Sequence, residues 1–286
     1  MGGSGSPVGG SGSPARGSGA QTFAEIAEGV YVLRYPVLDV NVSLLVGDGA
    51  ALLVDTLASP AQAAELRAAV RAVTSAPVTV VNTHHHFDHC FGNAAWAPPA
   101  DVWAHEEAAA LLRDQPDRLR RDAYDGYRDQ VPDVAEAAVV APTRTVHRSA
   151  ALDIGGRTVE LRHLGRGHTG GDLVVVVPDA GVVIAGDLVE EGADPAFDDA
   201  YPLDWPGTVA ALLGLVTGPV VPGHGGVVDR TFVAAQHADL ATLEWLIRDG
   251  HADGAPPAAV AARAPFGPVA AATAVRRGYA ELAGRV

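Results

Sequence analysis

From Thr22 onward the chain alternates short apolar runs with turn residues. Val30–Tyr35, Asn41–Val46 and Ala51–Val54 are apolar or alternating stretches of strand length, separated by turn residues such as Gly47-Asp48-Gly49. Pro60–Thr74 changes period: a proline stands near its start, and Leu66, Val70 and Val73 share one helical face. Val78–Thr83 is a continuous apolar run of the buried-strand type, and it leads directly into His84. Glu106 to Tyr127 is mostly charged and reads as helix, broken in two by Pro116.

Two hairpins follow. Leu152–Ile154 and Val159–Leu164 flank Gly155-Gly156, and Leu173–Val177 and Val182–Ala185 flank Pro178-Asp179-Ala180-Gly181. Pro206–Leu215 predicts a helix, Val220–Val221 a short strand and Thr231–Arg248 a long helix. The Ala-rich tail from Pro256 to Val286 predicts further helix, interrupted around Pro265-Phe266-Gly267-Pro268. Strands, helix, strand, helices, then strands and helices again is an α/β order that two sheets with helices outside would satisfy. Residues 1–20 are dominated by Gly, Ser and Pro and read as a flexible linker or cloning leader, leaving 21–286 as one domain.

Composition narrows the chemistry. The 286 residues carry 20 basic and 34 acidic side chains, a formal net charge of −14, which argues against a nucleic-acid partner and an anionic membrane surface. Every basic residue is arginine, so Schiff-base catalysis and a Walker phosphate loop are excluded. A single cysteine, Cys90, forbids an intrachain disulfide and Cys-rich metal sites, and reads as a small buried residue. No run of 18 apolar residues suggests a membrane span, and no secretory signal is visible, so a cytoplasmic location is expected.

The strongest local feature is Thr83-His84-His85-His86-Phe87-Asp88-His89, directly after a strand. His84 and His86, two apart, point the same way on extended backbone, while Asp88 and His89 turn toward a second point. Imidazole nitrogen and carboxylate oxygen are ligands that zinc, iron and manganese accept. Three further stretches place a ligand type beside glycine near a strand end: Gly165-Arg166-Gly167-His168-Thr169-Gly170-Gly171-Asp172, Ala185-Gly186-Asp187 and Val221-Pro222-Gly223-His224-Gly225-Gly226. Alone, His168 and His224 would pass for loop histidines and Asp187 for a turn or cap; occurring together after the histidine cluster, they read as ligands. Asp55, in Val54-Asp55-Thr56, is likewise a strand-end acid.

From Val30 to His224 these stretches resemble the metallo-β-lactamase superfamily, whose His-x-His-x-Asp-His signature and accompanying motifs appear in order. The resemblance implies a four-layer αββα sandwich of two mixed β-sheets flanked by helices, with the metal site at one edge. It further implies that His84, His86 and His168 hold a first metal, that Asp88, His89 and His224 hold a second, and that Asp187 bridges them. Asp55 would orient the cluster loop. Two zinc ions are expected, with iron or manganese as alternatives. Such a pair would share a hydroxide that attacks a carbonyl, Asp88 helping to position it. An aspartate at 187 looks more like hydroxyacylglutathione hydrolases and lactonases than like those β-lactamases that carry cysteine there.

The expected activity is hydrolysis of a small ester, lactone, thioester or amide, a β-lactam included. The rivals are a mononuclear iron oxidoreductase of the persulfide dioxygenase type and a non-catalytic protein that uses metal for stability. Tyr201, Asp199 and Arg166 are candidate substrate contacts, while Asp204 and Trp205 read as the start of the following helix. His85 lies between ligands and is expected to point away. His105, His147, His163, His237 and His251 carry no motif, and Trp96 and Trp103 read as core or pocket wall. The partner is a small molecule, and a homodimer is one open arrangement.

Overall fold

A computed structural model describes residues 21–98 and 100–285. The Gly/Ser/Pro stretch 1–20 lies outside them. The first half of the chain forms strands β1 (Ala24–Ala27), β2 (Val30–Tyr35), β3 (Val40–Val46), β4 (Ala51–Val54), β5 (Val78–Val81), β6 (Val102–His105) and β7 (Arg144–Val146), with helices α1 (Pro60–Val73), α2 (Phe87–Cys90), α3 (Glu106–Asp114) and α4 (Pro116–Tyr127). The second half forms β8 (Ser149–Ile154), β9 (Arg157–Arg162), β10 (Val174–Val177), β11 (Val182–Glu190) and β12 (Val220–His224), with α5 (Trp205–Leu213), α6 (Arg230–Ala252), α7 (Pro257–Ala261) and α8 (Pro268–Leu282).

The strands make the two expected sheets. One runs β7-β6-β5-β4-β3, with β2 pairing β3 and β1 pairing β2, and the other runs β12-β11-β10-β9-β8. They touch through a single antiparallel pair, His224 opposite Val40, so the hydrogen-bonded ladder is continuous. Side chains of both sheets, among them Leu45, Val54, Val81, Leu161, Val175 and Ile184, fill the space between them. The outer face of the first sheet packs on α1 through Leu66 and Val70. The outer face of the second packs on α5 and α6 through Trp205, Val209, Leu240 and Leu243. Helices thus cover both outer faces, the αββα order. A smaller cluster around Cys90, Phe91, Leu112 and Val134 seats α2 against the segment following α4.

Two local differences from the sequence reading matter for the site. The strand that was expected to end at Ala185 continues to Glu190 with all nine residues buried, so Asp187 lies inside it. Its parallel register with β12 shifts on both sides of Gly186, marking a bulge. Gly186 has φ +55°, and a Cβ there would stand 2.8 Å from the Thr83 side chain. Only glycine takes that backbone so close to the histidine loop. Strands β6 and β7 were not anticipated; at four and three residues they are too short to show a period. Among the described residues no helix is long and apolar enough to cross a membrane.

Candidate metal centre

The histidine loop is fixed from beneath by one carboxylate. Asp55, with φ +68°, is 2 % exposed. It accepts the Thr83 backbone N–H at 2.8 Å, the Thr83 hydroxyl at 2.8 Å and the His89 Nδ1 proton at 2.8 Å. Because Thr83 donates to Asp55, its oxygen is left to accept from His84 Nδ1, 3.0 Å away. Both His84 and His89 therefore direct Nδ1 to these acceptors and aim Nε2 inward, the orientation a metal ligand needs. The single turn of α2 then carries Asp88 and His89 together.

The other donors arrive from strand ends. His168 follows β9 in a loop braced by Asp172, which accepts from Thr169 N at 2.9 Å and Thr169 Oγ1 at 2.6 Å. His224 ends β12, and its Nδ1 donates to the Leu38 carbonyl at 2.7 Å, which turns Nε2 toward Asp187 Oδ2, 3.2 Å away. Asn41 Nδ2 donates to the Pro222 and Gly225 carbonyls on either side, at 3.0 and 2.9 Å.

All seven expected residues converge. His84, His86, His168 and Asp187 form one group and Asp88, His89 and His224 another, the donor atoms of each lying within 4.8 Å of one another. His86 enters through Nδ1, 2.8 Å from His168 Nε2. Asp187 faces both groups: Oδ2 is 3.6 Å from His84 Nε2, 3.3 Å from His168 Nε2 and 3.2 Å from His224 Nε2, while Oδ1 is 3.1 Å from His89 Nε2. Asp88 Oδ2 lies 3.5 Å from His224 Nε2. His84 Nε2 is buried with no hydrogen-bond partner. A buried polar atom without a partner is costly, and a cation among these donors would satisfy it. The donor set suits a borderline metal such as zinc.

The electrostatics describe a site in which protons and cations compete. Burial pushes His84 well below its ordinary pKa and His168 down to about 4. Burial acts the same way on His89 and His224, but Asp187 and Asp88 outweigh it and raise His89 well above the ordinary value and His224 to about 10. Asp187 is held far below the usual carboxylate range: burial opposes this, and His89, His224, His84 and His168 overcome it.

The remaining candidates are placed differently. Asp199, expected to meet substrate, has both carboxylate oxygens engaged by imidazoles: Oδ1 is 3.0 Å from His86 Nε2 and Oδ2 is 3.2 Å from His85 Nε2. His85 thus turns toward Asp199 and joins neither donor group. Arg166 is paired with Asp204, Nε to Oδ2 2.8 Å, and its guanidinium lies 4.2 Å from the Tyr201 ring centroid. Asp204 precedes α5 but gives its side chain to Arg166 instead of capping the helix. Trp205 is fully buried, its indole N–H donating to Leu188 O at 3.2 Å and its ring 5.7 Å from that of His168. Cys90 is buried, and its thiol donates to the His85 and His86 carbonyls at 3.2 and 3.1 Å. Glu190 was not anticipated. This buried carboxylate at the end of β11, raised to about 8 by burial and then by Asp187, has Oε1 3.7 Å from His168 Nδ1. The sequence carries no signal for it, because the apolar run that marks the strand stops before Gly186.

The metallo-beta-lactamase superfamily model matches residues 35–224. The alpha subunit of a 2,4-dinitroanisole O-demethylase from Nocardioides sp. (strain JS1661) is 31% identical over 185 residues, 62% of this chain and 50% of the relative. The chain therefore spans about half the length of that curated relative. Among solved structures, a metallo-beta-lactamase family protein from Thermus thermophilus superposes with TM-score 0.65 at 22% identity, covering 91% of this chain and 95% of that one. A stereoselective inverting sec-alkylsulfatase from Pseudomonas sp. gives TM-score 0.72 at 19% identity over 93% of this chain and 51% of its own. Fold, donor geometry and sequence match agree: the chain belongs to the metallo-beta-lactamase superfamily.

Proposed function

We propose that the protein is a metal-dependent hydrolase with two zinc ions, acting on a small electrophilic ester, lactone, thioester or amide. The carrying observation is Asp187, whose two oxygens face imidazoles of both donor groups. In this reading His84, His86 and His168 hold the first ion, Asp88, His89 and His224 the second, and Asp187 both. When bound, the ions supply Lewis acidity, lowering the pKa of water toward about 7 and neutralising charge that develops on the attacked group.

The chain supplies the orientation. Asp55 fixes His89, Thr83 fixes His84 and the Leu38 carbonyl fixes His224, each by holding the Nδ1 proton so that Nε2 keeps its lone pair. No side-chain nucleophile is required, and Cys90 is poorly suited to be one: burial pushes its thiol well above the ordinary value. The curated relative is named an O-demethylase and one structural neighbour a sec-alkylsulfatase. Aryl methyl ethers and alkyl sulfates therefore belong in the substrate panel beside carboxylic and thiol esters.

The test is elemental analysis of the purified chain together with that panel, for wild type, His84→Ala and Asp187→Ala. Two zinc ions per chain, with hydrolysis lost in both variants, is the expected result. Metal content and turnover unchanged in the variants would overturn it, and one iron per chain with oxygen consumption would replace it with the oxidoreductase reading.

A further inference from the structure

The C-terminal helix α8 lies beyond the segment that the superfamily model matches, yet it reaches the metal centre through one loop. Asp199 sits between β11 and α5, in a stretch without regular structure. Its carboxylate spans His86 Nε2 at 3.0 Å and His85 Nε2 at 3.2 Å. A carboxylate on Nε2 holds the proton there and leaves Nδ1 as the lone-pair nitrogen, and His86 Nδ1 is the atom 2.8 Å from His168 Nε2.

The backbone that carries this carboxylate is held from outside the loop. Arg277 of α8 donates from Nε to the Ala200 carbonyl and from Nη2 to the Asp199 carbonyl, both at 3.0 Å. This is a two-pronged grip that only a guanidinium provides. One turn further along the same face, Glu281 accepts the Leu203 N–H at 3.3 Å. On its other side the loop is tied to the His168 loop, Tyr201 N–H donating to the Gly167 carbonyl at 2.8 Å.

We propose that Asp199 is a positioning residue for the first metal, fixing the ring of His86, and that Arg277 acts on the centre through Asp199. The proposal rests on the reading of His84, His86, His168 and Asp187 as metal-holding. It predicts that α8 is needed for metal affinity and not only for packing.

The experiment is zinc binding by chelator competition, with the cobalt(II) absorption spectrum as a second readout. It uses the full chain as wild type, Asp199→Ala, Asp199→Asn, Arg277→Met and the Asp199→Ala/Arg277→Met double variant. Melting of each metal-free variant reports whether it folds. Asp199→Ala should weaken one zinc equivalent about 10- to 100-fold and leave the other within about threefold, with a changed cobalt spectrum. Asp199→Asn, which can accept through one oxygen only, should fall between and keeps the test alive if the alanine variant does not fold. Arg277→Met should weaken the same equivalent less, and the double variant should bind no worse than Asp199→Ala alone, because one residue acts through the other. Unchanged zinc affinity in a folded Asp199 variant, or an Arg277→Met loss that adds in full to that of Asp199→Ala, would overturn the proposal. A wild-type chain that takes up no zinc or cobalt would instead remove the metal reading on which it stands.

Discussion

Asp187 and Gly223 stand so close that residue 223 has no room for a side chain: a Cβ there would lie 1.7 Å from Asp187 Oδ1 and 2.9 Å from Asp187 N. The glycine before His224 is therefore a requirement of the acid on the neighbouring strand. β11 and β12 run parallel at this point, and the residue that precedes one donor must yield space to another. Gly223→Ala should push the Asp187 carboxylate away from His89 and His224, costing about 1–3 kcal/mol as an overpacked core site. Zinc stoichiometry and the melting temperature of the metal-free chain check this together. Expected are lost occupancy of at least one ion and a melting point several degrees lower; full occupancy at wild-type affinity would show that the strand yields instead.

Asp55 concentrates three hydrogen bonds in one buried carboxylate, two from Thr83 and one from His89. Asp55→Ala leaves a buried backbone N–H, a hydroxyl and an imidazole proton without their acceptor. Removing one partner from a buried charged network costs about 3–5 kcal/mol. Asp55→Asn keeps the volume but loses one acceptor oxygen, so the His89 ring can turn over and present the wrong nitrogen. Both variants should bind the second zinc about 10- to 100-fold more weakly, with the alanine variant also melting lower in the metal-free state. Chelator titration and calorimetry separate the two effects, and an asparagine variant with wild-type affinity for both ions would refute the role in ring orientation.

Much of this centre was legible in the sequence because its densest part is local. His84, His86, Asp88 and His89 lie within six residues, and the extended-then-helical backbone that splits them into two groups follows from a strand running into a short turn of helix. His168, Asp187 and His224 were readable from the glycines beside them, which mark close approach of backbone. The rest depends on pairings that no local pattern encodes. Asp199 reads as a candidate substrate contact until the fold brings it 3.0 Å from a histidine 113 positions earlier. Glu190 and the extension of β11 past Gly186 were hidden because a bulge interrupts the apolar run that defines the strand. Arg277 sits in an Ala-rich tail whose helical period says nothing about which loop it will grip.

Cys90 sits one residue from His89, a position that invites a redox or nucleophilic role. Its thiol is turned away from the donors, donating to the carbonyls of His85 and His86 inside the cluster of Phe91, Leu112 and Val134. Cys90→Ser retains a donor of similar size and should keep hydrolysis within about threefold of wild type, at a stability cost of about 1 kcal/mol for the lost apolar burial. The folded protein should also resist iodoacetamide, since reaction needs an exposed thiolate. Rapid alkylation with loss of activity would restore the thiol to the mechanism.

Metal removal should steepen the loss of stability with rising pH. In the metal-free chain burial opposes the charged form of His224, but Asp187 and Asp88 raise its pKa to about 10. Burial likewise opposes the charged form of His86, and Asp199 raises it to about 9. Both folded values lie above the unfolded one of about 6.5, so their contributions are complete below about pH 6.5 and are lost as pH climbs through 9 and 10. Glu190, pushed to about 8 by burial, has the same sign: its neutral form favours the fold below about 4.3 and that advantage is gone above 8. His168 runs the other way, because burial depresses it to about 4 and stability is lost as pH falls from about 6.5 toward 4. The metal-free protein should therefore melt highest near neutrality and progressively lower from pH 7 to 9. A cation bound at the proposed site would take the place of the protons on His86 and His224, so binding should release protons and tighten over that same interval. Melting curves from pH 6.5 to 9, one series with chelator and one with zinc, should diverge as pH rises. Parallel series would mean that the ion and the protons do not compete for these imidazoles, and the two donor groups would then be an ion-pair network rather than a metal centre.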